Sequence, residues 1–387
     1  MNIVKNINLF QGIGVVITTL LGSGIFIVPA VSASLTDGNS LYGWFILSIL
    51  IVPISYIFGL LGNRYPHIAG SSYFVKKSFG DKLARVIGYL YISIVPIGPP
   101  VVVITGATYL SSILNQDISI IAALVMICII SILNQFKYSI SSNIGLVIVI
   151  LIVSIIIFMS YFAYFEQETI KFNKIDKSFF NSLGVMFWCF VGIEAISHLS
   201  SEFKYKNDFL KVIIFGTLIV GLLYSLVSYS VLKFNIYGDE LVNFKSLIII
   251  FDTILPLYGK YIISIVGFFI CLIAVNLYVA STTRLLYSYT KEKISFNKNL
   301  LIIIATITIT VILKLQFNIK IESLILYANG VFAIIYLFVA ISGIKLLKGK
   351  ERFISIVAAL ILLGTIITIG INILYAAAIF ILLYFTS

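Results

Sequence analysis

Residues 11–29 read QGIGVVITTLLGSGIFIVP, an apolar run long enough to cross a bilayer with Gly22-Ser23-Gly24 at its middle. Glycine costs about 1 kcal/mol against alanine inside a helix, so two glycines around one serine weaken the helix there. In lipid, an opened turn exposes N–H and C=O groups, each costing several kcal/mol when unpaired. A break of this kind persists only where it lines a cavity and has something to bind. It points to a substrate site near the middle of the membrane.

The rest of the chain supports a membrane setting. Hydrophobic residues are 60% and charged residues 11% of the sequence, against about 25% charged in soluble domains. About 20 apolar residues cover the roughly 30 Å hydrocarbon core. Twelve spans are expected, at 10–32, 41–62, 83–112, 118–135, 140–164, 178–199, 210–233, 257–284, 299–315, 322–346, 353–370 and 372–386. The last two are short enough to form one re-entrant hairpin. No loop is long enough for a soluble domain, and the longest, 234–256, is expected to hold a short surface helix. The first run exceeds the 7–15 residues of a signal-peptide core and eleven spans follow it, so it is read as span 1, not as a cleaved leader.

Lys and Arg set the orientation. With the N-terminus inside, the inner loops collect Lys5, Arg64, Lys76, Lys77, Lys82, Arg85, Lys137, Lys204, Lys206, Lys211, Arg284, Lys291, Lys293, Lys298, Lys345, Lys348, Lys350 and Arg352. These are 18 of the 26 basic residues, leaving 8 outside, so both termini are expected on the cytoplasmic side. The net charge of +11 then reflects topology and anionic lipid headgroups. The charges are spread over short loops, which argues against a nucleic-acid partner. Cys128, Cys189 and Cys271 fall inside spans without a CxxC pair, and His67 and His198 are far apart. Buried inert thiols and no metal or cofactor are the expectation. The sequence carries no signal for oligomeric state.

Spans 1–5 (about 10–164) and 6–10 (about 178–346) are candidates for an inverted repeat within a single transporter domain, with 353–386 as additional helices. The first span of each half is then interrupted at matching depth. Span 6 reads SLGVMFWCFVGIEAISHL, with Gly192 at mid-span and Glu194 two residues on. Freed N–H groups of Ser23, Gly24 and Ile25 at a half-helix N-terminus attract a carboxylate. Freed carbonyls near Leu20, Trp188 and Val191 attract an ammonium group. A zwitterionic amino acid matches both. The competing reading makes Gly22-Ser23-Gly24 and Gly192 close-packing positions of intact helices.

GSGIFIVP in span 1, FVGIE in span 6 and the loop RYPHIAGSSYFVKKSFG resemble the amino acid–polyamine–organocation (APC) transporters. Within that family VMFWCFVGIEAISHLSSEFK (185–204), VPIGPP (95–100) and LYANGVFAIIYL (326–337) resemble exporters of apolar amino acids. The similarity runs from about Leu9 to the C-terminus. It implies an all-α membrane fold with the five-plus-five inverted repeat of the leucine-transporter type, discontinuous spans 1 and 6, and two extra helices, in the inner membrane of a bacterial cell. It also implies that the carboxylate binds at Ser23, Gly24 and Ile25 and the ammonium at carbonyls of Leu20, Trp188 and Val191, while span 3 lines the side-chain pocket near Pro96 to Pro99. Two departures stand out: span 5 lacks the lysine that replaces a sodium ion in some proton-coupled relatives, and SEFKYKNDFLK lacks the family's proline after KN.

Glu194 is the one acidic residue placed deep in a span, where a charge costs at least about 2.5–3.5 kcal/mol. It reads either as a proton carrier coupled to substrate occupancy or as a protonated carboxyl bonded to the broken helix. Trp188 reads as a gate over the substrate or as packing. Asn276, Tyr278 and Ser281 on span 8, and Tyr327 and Asn329 on span 10, read as interhelical hydrogen bonds or as substrate contacts, with Asn276 taken as a binding candidate. The helix 3 segment SIVPIGPPVVV is aliphatic and uncharged, which favours methionine, leucine, isoleucine or valine over cationic substrates. The expected function is secondary active transport of these amino acids, exporting them by proton antiport with alternating access. An importer of the same substrates and a non-transporting sensor are the alternatives. A membrane enzyme lacks clustered His, Asp or Glu, and ATP-driven pumping lacks GxxxxGK[ST].

Overall fold

The computed structural model describes residues 7–67, 69–114, 118–135, 142–197, 199–205, 207–290 and 293–386. Lys5, Lys137, Lys206, Lys291 and His198, used above for orientation and metal chemistry, lie outside the described residues, as do the first residues of span 5.

Span 1 is two helices, α1 (Leu9–Leu21) and α2 (Gly24–Thr36), bent by 48°. Span 2 is α3 (Asn39–Arg64), followed by the loop helix α4 (Gly70–Phe79). The expected continuous span 3 is instead α5 (Asp81–Ile92) and α6 (Gly98–Leu114), separated by a turn at Ser93–Ile97. Proline is tolerated in the first turn of a helix but not in its interior, so Pro96, Pro99 and Pro100 end one helix and start another. Spans 4 and 5 are α7 (Ser119–Gln135) and α8 (Ser142–Phe165). Span 6 is α9 (Lys177–Met186), a 3₁₀ turn Phe187–Phe190, and α10 (Ile193–Ser197). Span 7 is α11 (Asp208–Lys233), and the 234–256 connection holds α12 (Glu240–Ile254) as expected. Then follow α13 (Gly259–Tyr289), α14 (Phe296–Phe317), α15 (Ile321–Leu346), α16 (Gly349–Ile369) and α17 (Ile373–Thr386), the last two divided at Gly370, whose φ is +65°.

Among the described residues, seven helical stretches are long and apolar enough to cross a membrane, or nine when two bent pairs are counted. The protein is a multi-pass membrane protein. In the core α11 packs on α1 and α3, whereas α6 packs on α13 and α7. Apolar side chains on α8, α14, α16 and α17 cover the outside, including Ile150, Leu301, Leu360 and Leu382. Cys189 and Cys271 are buried, but Cys128 is on the outer face of α7, contrary to the expected burial; a thiol there is an apolar group among lipid tails.

Candidate functional site

In span 1 the break falls at Gly22 and Ser23. Gly22 has φ +34° and ψ −135°, a conformation that other residues reach only under strain. The carbonyls at the end of α1 need new partners. The Thr18 carbonyl accepts from the Gly22 amide at 3.3 Å. The Leu20 and Leu21 carbonyls both accept from the Tyr224 hydroxyl on α11, at 3.0 Å each. Tyr224 is held flat against Trp44 of α3, with ring centroids 4.9 Å apart and planes 5° apart. On the other side of the break α2 starts at Gly24 with Ser23 2% exposed. Among the described residues, no group outside the helix itself accepts from the amides of Ser23, Gly24 or Ile25. They form a buried, positively polarised helix end.

Span 6 opens at Val191-Gly192, where Gly192 has φ +125°. The Val191 amide turns back to the Trp188 carbonyl at 3.1 Å. The Gly192 amide donates to Glu194 Oε2 at 3.0 Å and to the Tyr336 oxygen at 3.2 Å. Tyr336, on α15, donates a short hydrogen bond to the same carboxylate oxygen and lies 3.4 Å from the Phe190 carbonyl. Glu194, 2% exposed, therefore closes the break in its own span. Seven residues earlier on α15, Asn329 donates to the Gly184 carbonyl at 2.7 Å, so one face of α15 holds span 6 on both sides of the 3₁₀ turn.

The two breaks meet. A Cβ added at Gly192 would lie 3.0 Å from Thr19 Cγ2 and 3.3 Å from Leu20 Cδ2. One added at Gly24 would lie 2.6 Å from the Tyr224 oxygen, 3.2 Å from Cys189 Sγ and 3.3 Å from Trp188 Cδ1. The half-buried Trp188 ring extends from there to the start of α6, where a Cβ on Gly98 would lie 3.5 Å from its Cη2. Leu20, Gly22, Ser23, Gly24, Ile25, Trp188, Val191, Gly192 and Glu194 are thus gathered at one point. Pro96 and Pro99 flank Gly98 at its edge. Asn276 is placed differently: its Oδ1 accepts from Asn134 of α7 at 2.8 Å, while it is Ala274 on the same helix whose Cβ would lie 4.0 Å from a Cβ added at Gly22. Residues two apart on a helix point to nearly opposite faces, so α13 meets the break with Ala274.

Tyr224 and Tyr336 were not singled out from the sequence. Each follows another polar residue by seven positions, close to one helical face: Thr217 before Tyr224 and Asn329 before Tyr336. Outside the spans, the ends of the helices are tied down. Ile7 pairs with 202–204 through Ile7 N–H to the Glu202 carbonyl at 3.1 Å and Lys204 N–H to the Ile7 carbonyl at 3.0 Å. Arg64 at the end of α3 reaches Glu351 of α16 at 2.5 Å. Asp37, just past α2, accepts from Asn173 at 2.6 Å and from Tyr237 at 3.1 Å, and burial together with this carboxylate pushes the Tyr237 phenol up to about 12.

A family model described as amino acid permease matches residues 7–387. An L-methionine/branched-chain amino acid exporter of Escherichia coli (strain K12) is 32% identical over 390 residues, covering 96% of this chain and 93% of the exporter. An uncharacterized amino acid permease of Bacillus subtilis (strain 168) is 25% identical over 74% of this chain and 69% of its own. A cadaverine/lysine antiporter of Escherichia coli (strain K12) is 27% identical over 58% of this chain and 53% of its own. These relatives are transporters and permeases, not enzymes, and the similarity supports amino acid transport.

Proposed function

Because the chain belongs to the amino acid permease family, we propose that it is a secondary active transporter of neutral apolar amino acids, exporting methionine, leucine, isoleucine or valine by proton antiport. The observation that carries this reading is the meeting of the two breaks, with unclaimed buried amides at Ser23, Gly24 and Ile25 beside the carbonyl ends at Leu20 and Val191. The substrate carboxylate binds those amides and its ammonium binds the carbonyls of Leu20, Trp188 and Val191. Gly22 and Gly192 allow the chain to open there, and Trp188 closes over the substrate. Pro96 and Pro99 complete its surroundings, while Asn276, on the opposite face of α13, ties that helix to Asn134 of α7.

Glu194 exchanges a proton as the substrate comes and goes, because its carboxylate is bonded at the break that the substrate bridges. The chain crosses a bacterial inner membrane twelve times with both termini inside, as two inverted five-span repeats plus α16 and α17. Spans 1, 2, 6 and 7 rock as a bundle against the rest. The packing of α11 on α1 and α3, separate from that of α6 on α13, supports this division. The exporter relative supports direction and substrate class.

Counterflow in proteoliposomes against a panel of standard amino acids, at two pH values, tests the reading. Exchange of methionine, leucine, isoleucine and valine is expected, with an imposed proton gradient driving efflux from preloaded vesicles. Preference for a cationic amino acid contradicts the substrate class, and binding without exchange leaves only a sensor.

A further inference from the structure

The turn between α5 and α6 is a third interruption, and its amides are closed in a way those of span 1 are not. The Tyr89 carbonyl accepts from the Ser93 amide at 3.0 Å, and the Leu90 carbonyl from the Ser93 hydroxyl at 2.7 Å. The Ile92 carbonyl accepts from the Val95 amide at 3.0 Å, and the Ile94 carbonyl from both the Ile97 and Gly98 amides at 2.9 Å. Two more of its carbonyls take donors from other helices. Tyr91 accepts from Tyr278 of α13 at 3.2 Å, in addition to a 3.3 Å bond from the Ile94 amide, and Ser93 accepts from Tyr375 of α17 at 3.1 Å. Pro99 and Pro100 carry no N–H, so the start of α6 offers an anion little. No amide of this turn is left to hold an anion. What it presents is shape: a rigid apolar corner at Gly98 against the far edge of Trp188.

We propose that Tyr375, with Tyr278, is a positioning residue for side-chain selectivity: the two hydroxyls fix the Ser93–Ile97 turn against Trp188, and the turn limits the length of side chain accepted. The inference rests on the transport function proposed above and adds its selectivity device. It gives α17, which lies outside the expected repeats and packs on α5 and α15, a direct hold on the site. Tyr375 acts through the backbone of Ser93 and touches no substrate. Removing its hydroxyl frees a carbonyl in an apolar setting, and the turn relaxes away from Trp188. Discrimination between long and short side chains then falls, while the amides and carbonyls that bind the zwitterion stay in place.

The test is counterflow by the full-length protein in proteoliposomes, measuring KM and kcat for methionine, leucine, valine and alanine. Tyr375→Phe keeps the ring, including its contact with Tyr327, and loses only the donor. The expected result is a change of about five-fold in the methionine-to-valine ratio of kcat/KM, the size of one neutral hydrogen bond, carried by KM with kcat unchanged. Tyr278→Phe shifts the ratio in the same direction and decides the question if Tyr375→Phe does not fold. Tyr384→Phe, elsewhere on α17, leaves the ratio unchanged. An unchanged ratio in both variants overturns the inference, as does a uniform loss of kcat for all four substrates or an equal shift in Tyr384→Phe. Wild-type protein that exchanges none of the four overturns the transport reading itself, which is a distinct outcome.

Discussion

Two residues after Gly192 the chain has Glu194, whose carboxylate accepts from the freed Gly192 amide; two residues after Gly22 it has Gly24, and among the described residues no carboxylate reaches the amides there. Each break also takes a tyrosine from a neighbouring helix, Tyr224 at span 1 and Tyr336 at span 6. The capping of carbonyls is therefore shared and the treatment of amides is not. Span 6 carries its own carboxyl acceptor, and span 1 has none among the described residues. Buried amides without an acceptor each cost several kcal/mol in an apolar interior, so on the proposed reading a bound carboxylate stabilises the span 1 end and adds little at span 6.

The contrast breaks most severely at Gly24. Gly24→Ala puts a methyl 2.6 Å from the Tyr224 oxygen and must push the hydroxyl off the Leu20 and Leu21 carbonyls. Overpacking of about 1–3 kcal/mol together with the lost cap is expected to lower transport about 100-fold. Wild-type uptake in this variant, measured at matched protein amounts, would show that the two residues need not be in contact. Gly192→Ala strains a φ of +125° and meets Thr19 at 3.0 Å, so it is expected to lower thermal stability in detergent by a backbone cost of about 1–3 kcal/mol.

Glu194 separates the two roles of a carboxylate. Glu194→Gln keeps an acceptor for the Gly192 amide and loses the exchangeable proton, so binding is expected within about three-fold of wild type, less than one hydrogen bond, with pH-dependent transport abolished. Proton dependence that survives in this variant would falsify the carrier role. Glu194→Ala also removes the acceptor and is expected to bind about ten-fold more weakly, the cost of one unsatisfied buried donor.

Tyr224→Phe and Tyr336→Phe sharpen the comparison further. The first removes the donor shared by two carbonyls at the substrate end, and the second a donor to a carboxylate that keeps its amide. Tyr224→Phe is expected to weaken substrate binding about five-fold, a neutral hydrogen bond's worth, and Tyr336→Phe to alter the pH profile more than the affinity. The reverse pattern in binding assays would contradict the assignment of the two ends.

The smallest effect is at His67, outside the spans. Burial, then Lys76 and Lys77, hold its imidazole below the usual 6.5, and its neutral Nδ1 accepts from the Ala69 amide at 3.0 Å. The unfolded chain takes up the proton more readily than the folded one, so stability rises with pH and is lost as pH falls below about 6.5. His67→Gln is expected to flatten a small part of the difference in melting temperature between pH 5.5 and pH 7.5 without changing substrate selectivity. A melting difference that His67→Gln leaves whole removes His67 from the account.

How far the sequence reached depends on which force decides each feature. The break at Gly22-Ser23-Gly24 was legible because glycine lowers helix stability locally, and Glu194 because a lone carboxyl in a span is costly. The interruption of span 3 was missed although VPIGPP carries three prolines, because apolar character along 83–112 was weighed above the missing N–H groups. The caps from Tyr224, Tyr336, Tyr278 and Tyr375 join residues far apart in the chain, and only tertiary packing decides which hydroxyl meets which carbonyl. The partner of Asn276 is of the same kind: its bond to Asn134 spans 142 positions.

The most direct measurement is competition for labelled leucine by leucine, leucinol and leucinamide, which keep the side chain and ammonium while the last two lack the carboxylate. Both carboxylate-free compounds are expected to bind about 100-fold more weakly, in wild type and in Glu194→Gln alike, since a charge-assisted hydrogen bond to each of two amides is lost at span 1. Equal competition by leucine and leucinol would mean that the amides at Ser23, Gly24 and Ile25 do not hold the carboxylate, and the contrast between the two breaks would carry no function.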